Sequence, residues 1–423
     1  MTPEIKQRID KICHGEVPEG YQRTFLGIAP KSWDKSRIDK ICRLSSGSTP
    51  RRDAVENFAG DILWVTSGEL KRRTIEDTRE KISETAVVNS HLEIYDPGTV
   101  VIAIYGLEAA GIRGTVSIIG KQCTISQACM AFTEFKGIDN EFFYYWYLNN
   151  GQVIGLRYAQ GTKQQNLSTD IVGSFPICFP SQGEQQKIAA ILTTQDRVIE
   201  LKEKRLAEKQ RQKKYLMQQL LTGKKRLPGF SEERKKVKIG SFIKEIDERS
   251  TVNNQYEILS VTKNGMVFQS SHFNKQIASE NNVGYKVVRR GNLAFSTMNL
   301  WMGSLDTLRI CDTGIVSPAY KVFEFNQSLI VVNFAENYMK SAEMIWLYKT
   351  NSEQGASIVR RNLDLQALLN SEVALPDISE QTAIAEVLSA ADHEIDLLRQ
   401  DIEQEKQKKK ALMQLLLTGI VRV

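Results

Sequence analysis

The sequence predicts an α+β protein in which two pseudo-symmetric mixed α/β domains are separated by two long antiparallel coiled-coil helices. Three observations support this fold class. One long phrase recurs without a gap, and the apolar residues of both copies follow the three–four spacing of a coiled coil. The segments outside the copies contain β-branched runs bounded by glycine.

The internal repeat joins residues 180–201 to residues 376–397 at a constant spacing of 196 residues, measured from Glu184 to Glu380. The same register continues to the glycine that closes each copy. An ungapped match of this length does not arise by chance, so the chain contains a duplication.

Each copy is predicted to form one long helix. Pro180 and Pro376 are the first residues of the copies, at a place where proline suits the start of a helix. Gly223 and Gly419 close them, where glycine commonly adopts the left-handed conformation that ends a helix. A helix of about 40 residues spans roughly 60 Å, so two such helices packed antiparallel would form a rigid spacer.

The apolar residues of the two helices alternate at steps of three and four, which is the period of a coiled-coil seam. Gln195, Lys202, Glu405 and Lys409 interrupt the seam with polar groups. The matched seams favour packing against a shared surface over two unrelated, solvent-exposed helices. The predicted helix-pair seam residues are Ile188, Leu192, Ile199, Leu206, Leu216, Leu220, Ile384, Leu388, Ile395, Leu398, Ile402, Leu412 and Leu416.

Length and composition are those of a soluble globular protein with about two or three domains. The 423 residues are 41% hydrophobic and 25% charged, and the net charge of +6 permits a polyanionic partner without requiring one. We find neither an apolar run long enough for a membrane span nor a signal-peptide core, so a cytoplasmic location is expected. The six cysteines form no C-x-x-C pair and the four histidines are far apart, so no metal site is predicted.

The segments outside the copies are predicted to mix strands and helices. Glycine-bounded and β-branched runs predict strands within 98–106, 114–120, 291–299 and 320–325. Helices are predicted at 139–150 and 335–350. The resulting domains are an N-terminal helical segment (1–19), a first mixed domain (20–180), a helical spacer (181–226), a second mixed domain (227–376) and a second helical spacer (377–423).

The two mixed domains are similar to each other, but less so than the helices. Residues 123–132 align with 314–323, and residues 164–180 align with 360–376. A shared framework with divergent surfaces suggests two related targets of different identity.

Several short phrases occur along the chain in a fixed order. They are VPEGYQRTFLGIAPKSWDKSRI (17–38), GSTPRR (47–52), WVTSGEL (64–70), GTKQQNLS (161–168), PSQGEQQKIAAIL (180–192), LLTGK (220–224), PDISEQTAIAEVL (376–388) and LLLTG (415–419). Each phrase alone is weak, but their order together with the duplication is specific. Over essentially its full length the chain resembles the specificity (S) subunit of type I restriction–modification enzymes.

The resemblance implies a non-catalytic subunit in which each mixed domain is a target recognition domain that reads one half of a bipartite double-stranded DNA site. It also implies that the helices set the gap between the halves and dock two methyltransferase (M) subunits, which restriction (R) subunits can join. No cofactor is expected on this chain itself. S-adenosylmethionine would belong to the M subunits, and ATP with Mg to the R subunits. The second domain departs from the first, because it lacks a clear GSTP phrase and has RRN where the first has KQQN.

The sequence offers no motif for chemistry of its own. A DNA adenine methyltransferase needs an Asn/Asp-Pro-Pro-aromatic motif for the flipped base, and no such proline pair occurs. Residues 106–113 have the glycine spacing of a phosphate loop but Ile-Arg in place of Lys-Ser/Thr. Asp61, Glu69 and Lys71 are loosely similar to a nuclease metal site, a pattern that is common by chance. No catalytic residue is therefore predicted.

DNA contact is expected from loops rich in Lys, Arg, Asn and Gln, because these side chains hold phosphates and read base edges. Trp64 and Trp301 lie near such loops and are predicted to be core residues. The lysine-rich segment 202–214 is expected to be solvated or to face a subunit. The DNA-binding candidates are Arg51, Arg52, Lys71, Arg72, Arg73, Arg113, Lys163, Gln164, Gln165, Asn166, Lys263, Asn264, Arg289, Arg290, Asn299, Arg360, Arg361 and Asn362.

Three alternatives remain at this level. The chain could direct an orphan methylation complex that has no restriction partner, it could be a self-sufficient nuclease or methyltransferase, or it could be a coiled-coil adapter with no DNA role. The missing motifs argue against the enzyme, and the basic loops argue against the adapter. The sequence does not determine the recognised bases, the gap length, the oligomeric state without partners or whether an R subunit exists.

Overall fold

The computed structural model describes residues 2–104, 114–158, 167–262, 265–272, 281–354 and 361–423. The chain divides into two compact units. Unit 1 contains Met1–Lys202 together with Asp401–Val423, and unit 2 contains Glu203–Gln400.

Two long helices contribute to both units. The first long helix is Gln182–Leu221 and the second long helix is Ile378–Leu416. Both are followed by a glycine with a left-handed backbone, with φ of +73° at Gly223 and +70° at Gly419. The predicted long helices and their closing glycines are therefore confirmed.

In unit 1 the start of the first long helix packs against the end of the second. Gln195 donates a hydrogen bond to Glu405, and Lys202, further along the first helix, contacts Asp401, which is earlier in the second. Because the contacts run in opposite order along the two chains, these helix segments are antiparallel.

In unit 2 the remaining parts of the same two helices meet in the same manner. Lys209 contacts Glu394, and Lys213, further along the first long helix, contacts the earlier Asp392. The order of contacts is again opposed, so these segments are also antiparallel.

Unit 1 is built on a five-stranded sheet. Every residue of two central strands, Val100–Ala103 and Val116–Ile119, is buried. A strand covered on both faces has no polar side, which accounts for the predominantly apolar sequence of these segments, in which Ser117 is the one polar residue. The strand order is Arg43–Ser46, Cys129–Thr133, Val100–Ala103, Val116–Ile119 and Thr74–Ile75, and only the last pair is parallel.

Smaller elements complete unit 1. Its other strands are Tyr21–Thr24, Gly27–Pro30, Asp34–Arg37, Ile62–Val65, Lys81–Ile82, Cys123–Ile125 and Pro176–Phe179. Its shorter helices are Pro3–Cys13, Ile38–Ile41, Glu84–Asn89, Asn140–Tyr158 and Thr169–Gly173, with 3-10 turns at Val55–Phe58 and Ser67–Glu69.

Unit 2 has a four-stranded antiparallel sheet. Its order is Ile243–Ile246, Tyr320–Phe325, Leu293–Ser296 and Leu305–Thr307. The other strands are Lys235–Lys238, Leu259–Thr262, Gly265–Phe268, Lys286–Arg289, Thr313–Val316, Ser352–Gln354, Arg361–Leu363 and Glu372–Leu375. The shorter helices are Ile239–Phe242, Gln269–His272, Val332–Tyr338, Ala342–Thr350 and Leu365–Asn370, with a 3-10 turn at Leu300–Met302. The predicted mixed α+β character is therefore confirmed.

The predicted single helix at 335–350 is wrong. The structure has two helices here, Val332–Tyr338 and Ala342–Thr350. Ser341 stands between them with an extended backbone, and its hydroxyl accepts a hydrogen bond from the N–H of Met344 at 3.3 Å. This N-cap starts a new helix instead of continuing the previous one.

The ends of the long helices join the hydrophobic core of each unit. In unit 1, Ile188, Leu192 and Leu416 belong to the cluster that includes the aromatic face of helix Asn140–Tyr158. In unit 2, residues from both long helices similarly join the main core cluster. Of the predicted seam residues, Leu206, Leu216 and Leu412 are partly exposed and the others are buried.

Candidate nucleic-acid interface

A polar section lies in the middle of the helix pair in unit 1. Lys202 Nζ lies 2.7 Å from Asp401 and 2.8 Å from Glu405, and Gln195 also donates to Glu405 at 2.7 Å. The hydrogen bonds from Lys202 and then Gln195 lower the pKa of Glu405 to about 2. The residues that interrupt the apolar seam are therefore paired across the two helices.

One ion pair of the helices recurs at equivalent positions in the two units. Lys409 lies 2.6 Å from Asp196 in unit 1, and Lys213 lies 2.5 Å from Asp392 in unit 2. Each lysine and each aspartate is repeated at the 196-residue spacing, from Lys213 to Lys409 and from Asp196 to Asp392. The duplication therefore preserves a contact as well as a sequence.

A second ion pair recurs at the start of each long helix. Glu184 is bound by Arg422 through two hydrogen bonds of 2.6 Å, and Glu380 is bound by Arg226 through hydrogen bonds of 2.6 and 2.5 Å. Neither arginine is among the residues predicted from the sequence. The signal was present, because Arg226 and Arg422 have the same spacing as the two glutamates.

A buried glutamine beside each of these glutamates also makes equivalent contacts. Gln185 accepts from the N–H of Asp139 at 2.8 Å, and Gln381 accepts from the N–H of Val331 at 2.8 Å. Each amide also donates to two backbone carbonyls, including that of the proline before its helix. These buried contacts tie the long helices to the mixed parts of both units.

In unit 1 the first DNA-binding candidates are held by carboxylates. Arg51 is exposed and pairs with Asp53 at 2.7 Å. Arg52 pairs with Glu80 at 2.5 Å, and its guanidinium also lies 5.1 Å from the ring centroid of Trp64. The hydrogen bond to Glu80 raises the pKa of Arg52. Trp64 is a core residue, as predicted, with 2% of its surface exposed.

The next candidates, Lys71, Arg72 and Arg73, differ in their pairing. The side chains of Lys71 and Arg72 are exposed and have no ion-pair partner within the described part of the chain. Arg73 is half-buried and donates to Glu141 at the start of helix Asn140–Tyr158. Burial opposes the charge of Arg73, but the hydrogen bond to Glu141 raises its pKa overall. Arg73 is therefore a structural cation, unlike its two neighbours.

Glu69, one of the three residues loosely similar to a nuclease metal site, has its carboxylate engaged in local hydrogen bonds. The carboxylate of Glu69 accepts hydrogen bonds from the N–H of Thr66 at 2.7 Å and from the N–H of Arg79 at 2.6 Å. The first contact is one half of a capping box around the 3-10 turn Ser67–Glu69. Glu69 thus has a local structural role.

In unit 2 the consecutive residues Arg289 and Arg290 lie just before strand Leu293–Ser296. Arg289 binds Glu248 at 2.6 Å, and Arg290 binds Asp312 at 2.7 Å. The hydrogen bond to Glu248 raises the pKa of Arg289.

The other described candidates of unit 2 are brought together beyond the far end of that strand. The N–H of Arg361 donates to the carbonyl of Met298, and its guanidinium lies 5.2 Å from the ring centroid of Trp301. Asn299 is the residue before the 3-10 turn that contains Trp301, and Asn362 is exposed beside Arg361. Trp301 is partly exposed, and the guanidinium of Arg361 lies over its ring. The prediction that Trp301 is a core residue is therefore wrong.

Several candidates lie outside the described residues. They are Arg113, Lys163, Gln164, Gln165, Asn166, Lys263, Asn264 and Arg360.

Three cysteine thiols of unit 1 are buried. Burial raises the pKa of the thiols of Cys42, Cys123 and Cys129 to about 12, which keeps them protonated. No group of three or more His, Cys, Asp or Glu side chains in the described ranges is placed to hold a metal ion. Among those same residues, no helix is long and apolar enough to cross a membrane.

The fold and the site together define a class. This is a two-unit α+β protein built from an internal repeat, with recurrent buried contacts along its long helices and cationic loops in the mixed parts. Comparison with known proteins shows what this chain is similar to.

Residues 30–210 match the model of a protein family described as the type I restriction modification DNA specificity domain. The chain is 23% identical over 424 aligned residues to the type I restriction enzyme MjaVIII specificity subunit of Methanocaldococcus jannaschii, covering 93% of this chain and 94% of that one. It is 30% identical over 188 residues to the MjaIX specificity subunit of the same organism, a match that spans 44% of this chain and 42% of that relative. The predicted resemblance to type I specificity subunits is thereby confirmed.

Two solved structures share the fold. One is the type I restriction–modification S subunit from M. genitalium, with a TM-score of 0.52 at 14% identity, covering 91% of this chain and 96% of that one. The other comes from work on complex assembly and conformational transition of the type I R-M system, with a TM-score of 0.55 at 16% identity, covering 93% of this chain and 99% of that one. At these identities the similarity concerns the fold.

Proposed function

We propose that this chain is the DNA-sequence-specificity subunit of a type I restriction–modification system. It binds a bipartite double-stranded DNA site, with one half in each mixed domain, and it has no active site of its own. The long helices act as a coiled-coil spacer that scaffolds two M subunits and, where they exist, R subunits. S-adenosylmethionine is then the cofactor of the M subunits, and ATP with Mg is that of the R subunits.

One observation carries this proposal. The helix contacts recur in the two units, as in the pairs Lys409–Asp196 and Lys213–Asp392. The candidate loops differ in sequence, with KQQN in the first domain and RRN in the second. A duplicated frame with divergent loops suits a protein that binds two similar partners and reads two different half-sites.

The loops have the chemistry that DNA contact needs. Arg361 lies over an aromatic ring next to the exposed amide of Asn362. Lys71 and Arg72 are exposed cations with no ion-pair partner among the residues that the structure describes. Arginine and amide side chains read base edges in the major groove, and lysine and arginine hold phosphates.

The test is an exchange of residues 237–375 for the corresponding segment of a related subunit. The chimera and the parent are each expressed with the M subunit in cells without other DNA methylation, and modified sites are mapped by whole-genome methylation sequencing. We expect one half of the methylated motif to change and the other half and the gap to stay. A change in both halves would refute the assignment of one half-site to each domain.

The same cells decide whether the system also restricts DNA. Challenge with unmethylated phage in the presence and absence of the R subunit separates a restriction system from a methylation complex without a nuclease. Methylation by the purified chain alone would instead identify it as a self-sufficient enzyme.

A further inference from the structure

A cationic cavity in unit 1 is not explained by the contacts that hold the fold. It has a volume of about 530 Å³ and includes Lys71, Arg72, Arg73 and Lys409 in its lining, against one carboxylate, Asp196. This volume lies within the usual range of about 300–1,000 Å³ for ligand sites. The excess of positive charge favours an anion as the occupant.

The carboxylate in the cavity is already fully engaged. Asp196 accepts a hydrogen bond of 2.6 Å from Tyr145, pairs with Lys409 at 2.6 Å and lies 3.8 Å from the Nε of Arg73. Burial, and then the hydrogen bond to Asp196, raise the pKa of Tyr145, so its hydroxyl remains a donor. The positive charges of Arg73 and Lys409 are therefore balanced by carboxylates of unit 1. Arg73 pairs with Glu141 and Asp196, and Lys409 pairs with Asp196.

The two exposed cations of the cavity have no such balance. Lys71 and Arg72 have no ion-pair partner within the described ranges, in contrast to Arg51 and Arg52 of the same unit. Lys71 and Arg72 are therefore suited to bind a ligand that supplies its own negative charge, because the neighbouring cations Arg73 and Lys409 are already paired.

The backbone that carries these cations is fixed in place. The hydroxyl of Ser117 donates to the carbonyl of Arg72 at 2.7 Å, and the N–H of Ile118 donates to the carbonyl of Arg73 at 2.8 Å. Both donors belong to a fully buried strand of the central sheet. A fixed backbone lowers the entropy cost of binding, because only the two long side chains must be ordered.

We propose that this cavity binds a phosphate group of the DNA backbone, with Lys71 and Arg72 as the contacting residues. Arg73 is a positioning residue, because it ties the same segment to both long helices through Asp196. The proposal rests on the proposed function, since it takes DNA as the source of the phosphate. It assigns Lys71 and Arg72 to affinity and not to sequence discrimination.

The equivalent place in unit 2 is built differently. Asp392 pairs with Lys213, and within the described part of unit 2 no arginine pairs with it. Its side chain is 46% exposed, against 19% for Asp196. The connection between a cationic segment and the helix pair is therefore a feature of unit 1.

The experiment compares the salt dependence of DNA binding by the full chain in complex with its M subunit. The variant is K71A/R72A, and the matched control is K31A/K40A, which removes two exposed lysines of unit 1 outside the cavity. The probe is a duplex of unrelated sequence, measured by fluorescence anisotropy over a series of salt concentrations. A charge-preserving variant, K71R/R72K, tests whether the cations themselves matter.

We expect K71A/R72A to reduce the slope of log K against log salt by about 1, since the one phosphate held in the cavity contributes about 0.9. The control and K71R/R72K should retain the parent slope. Equal slopes for K71A/R72A and the control would overturn the cavity proposal and leave the proposed function standing, provided that the parent still directs methylation.

A second arm separates DNA from other sources of phosphate. If the parent complex binds no duplex, the proposed function fails, and thermal stabilisation by pyrophosphate then decides the chemistry of the cavity. Stabilisation that K71A/R72A loses and the control keeps would support a phosphate site for a ligand other than DNA. Absence of stabilisation in the parent would overturn the phosphate site as well.

Discussion

The carboxylate of Glu380 is the most informative single group for a test of the fold. Its side chain is 1% exposed and accepts two hydrogen bonds from Arg226, at 2.6 and 2.5 Å. Arg234 lies 3.7 Å away and uses its other N–H groups to bind the carbonyls at the end of the first long helix. We predict that Glu380→Gln destabilises unit 2, because both guanidinium groups lose their counter-charge.

The expected loss follows from the exposure of these groups. Breaking a buried ion pair by removing one partner costs about 3–5 kcal/mol. The side chain of Arg226 is 24% exposed and that of Arg234 is 11% exposed, so water can reach the first of them in part. The amide of the variant can also still accept one hydrogen bond. The lower end of the range, about 3 kcal/mol, is therefore expected.

The assay is urea denaturation followed by far-UV circular dichroism, with hydrogen exchange read at the start of the second long helix. Glu386→Gln is the matched control, because Glu386 lies on the same helix and is exposed. The control should change the free energy of unfolding by less than about 0.5 kcal/mol. If Glu380→Gln cost no more than the control, with unchanged exchange, the buried pair would contribute nothing net and our reasoning would be refuted.

Three further outcomes are expected. Because a hydrogen bond from Lys202 lowers the pKa of Glu405 from 4.5 to about 2, its stabilising effect is complete above about pH 5 and is lost as the pH falls toward 2. The melting temperatures of the parent and Glu405→Gln should therefore converge at low pH, and a constant difference would contradict the ion pair. Asp196→Asn should lower the free energy of urea unfolding by about 2 kcal/mol. Asp392→Asn should cost less than about 1 kcal/mol, because the side chain of Asp392 is 46% exposed and pairs with Lys213 alone among the described residues. Equal losses would show that the additional partners of Asp196 contribute nothing. Gln381→Leu should cost about 1–3 kcal/mol by leaving the N–H of Val331 and two backbone carbonyls unpaired, and unchanged hydrogen exchange at the N–H of Val331 would argue against it.

The long helices could be predicted because their signals are local and repeated. A three–four apolar spacing sustained over 40 residues outweighs any single weak position, and glycine at 223 and 419 marks each end. The end of one helix and the start of another at Ser341 could not be predicted, because the signal there is neither repeated nor strong. A single serine between two apolar helical runs is a weak signal, and the hydrogen bond that decides the matter is visible only in the structure.

The sequence predicts which segments carry the cationic candidates, but it does not predict which of their side chains are held in ion pairs. Arg52 pairs with a glutamate 28 residues away, and Arg73 pairs with one 68 residues away. No local pattern in the sequence encodes such pairings, because they depend on which strands and helices become neighbours. The distinction between structural cations and available ones therefore required the fold, and it reduces the described candidates of the first domain to Lys71 and Arg72 as the unpaired cations.

The recurrent ion pairs have an implication beyond stability. A buried pair such as Glu380–Arg226 is a costly way to stabilise a protein, since well-packed apolar residues often do as well or better. Its value lies in geometry, because charged groups that require each other admit few alternative registers. Glu184 with Arg422 and Glu380 with Arg226 join the start of one long helix to the segment after the end of the other, within each unit. A slip of either helix would break these pairs and bury uncompensated charge. The repeat thus extends to the residues that restrict helix register, and the proposed function requires a fixed register because it makes the helices a spacer.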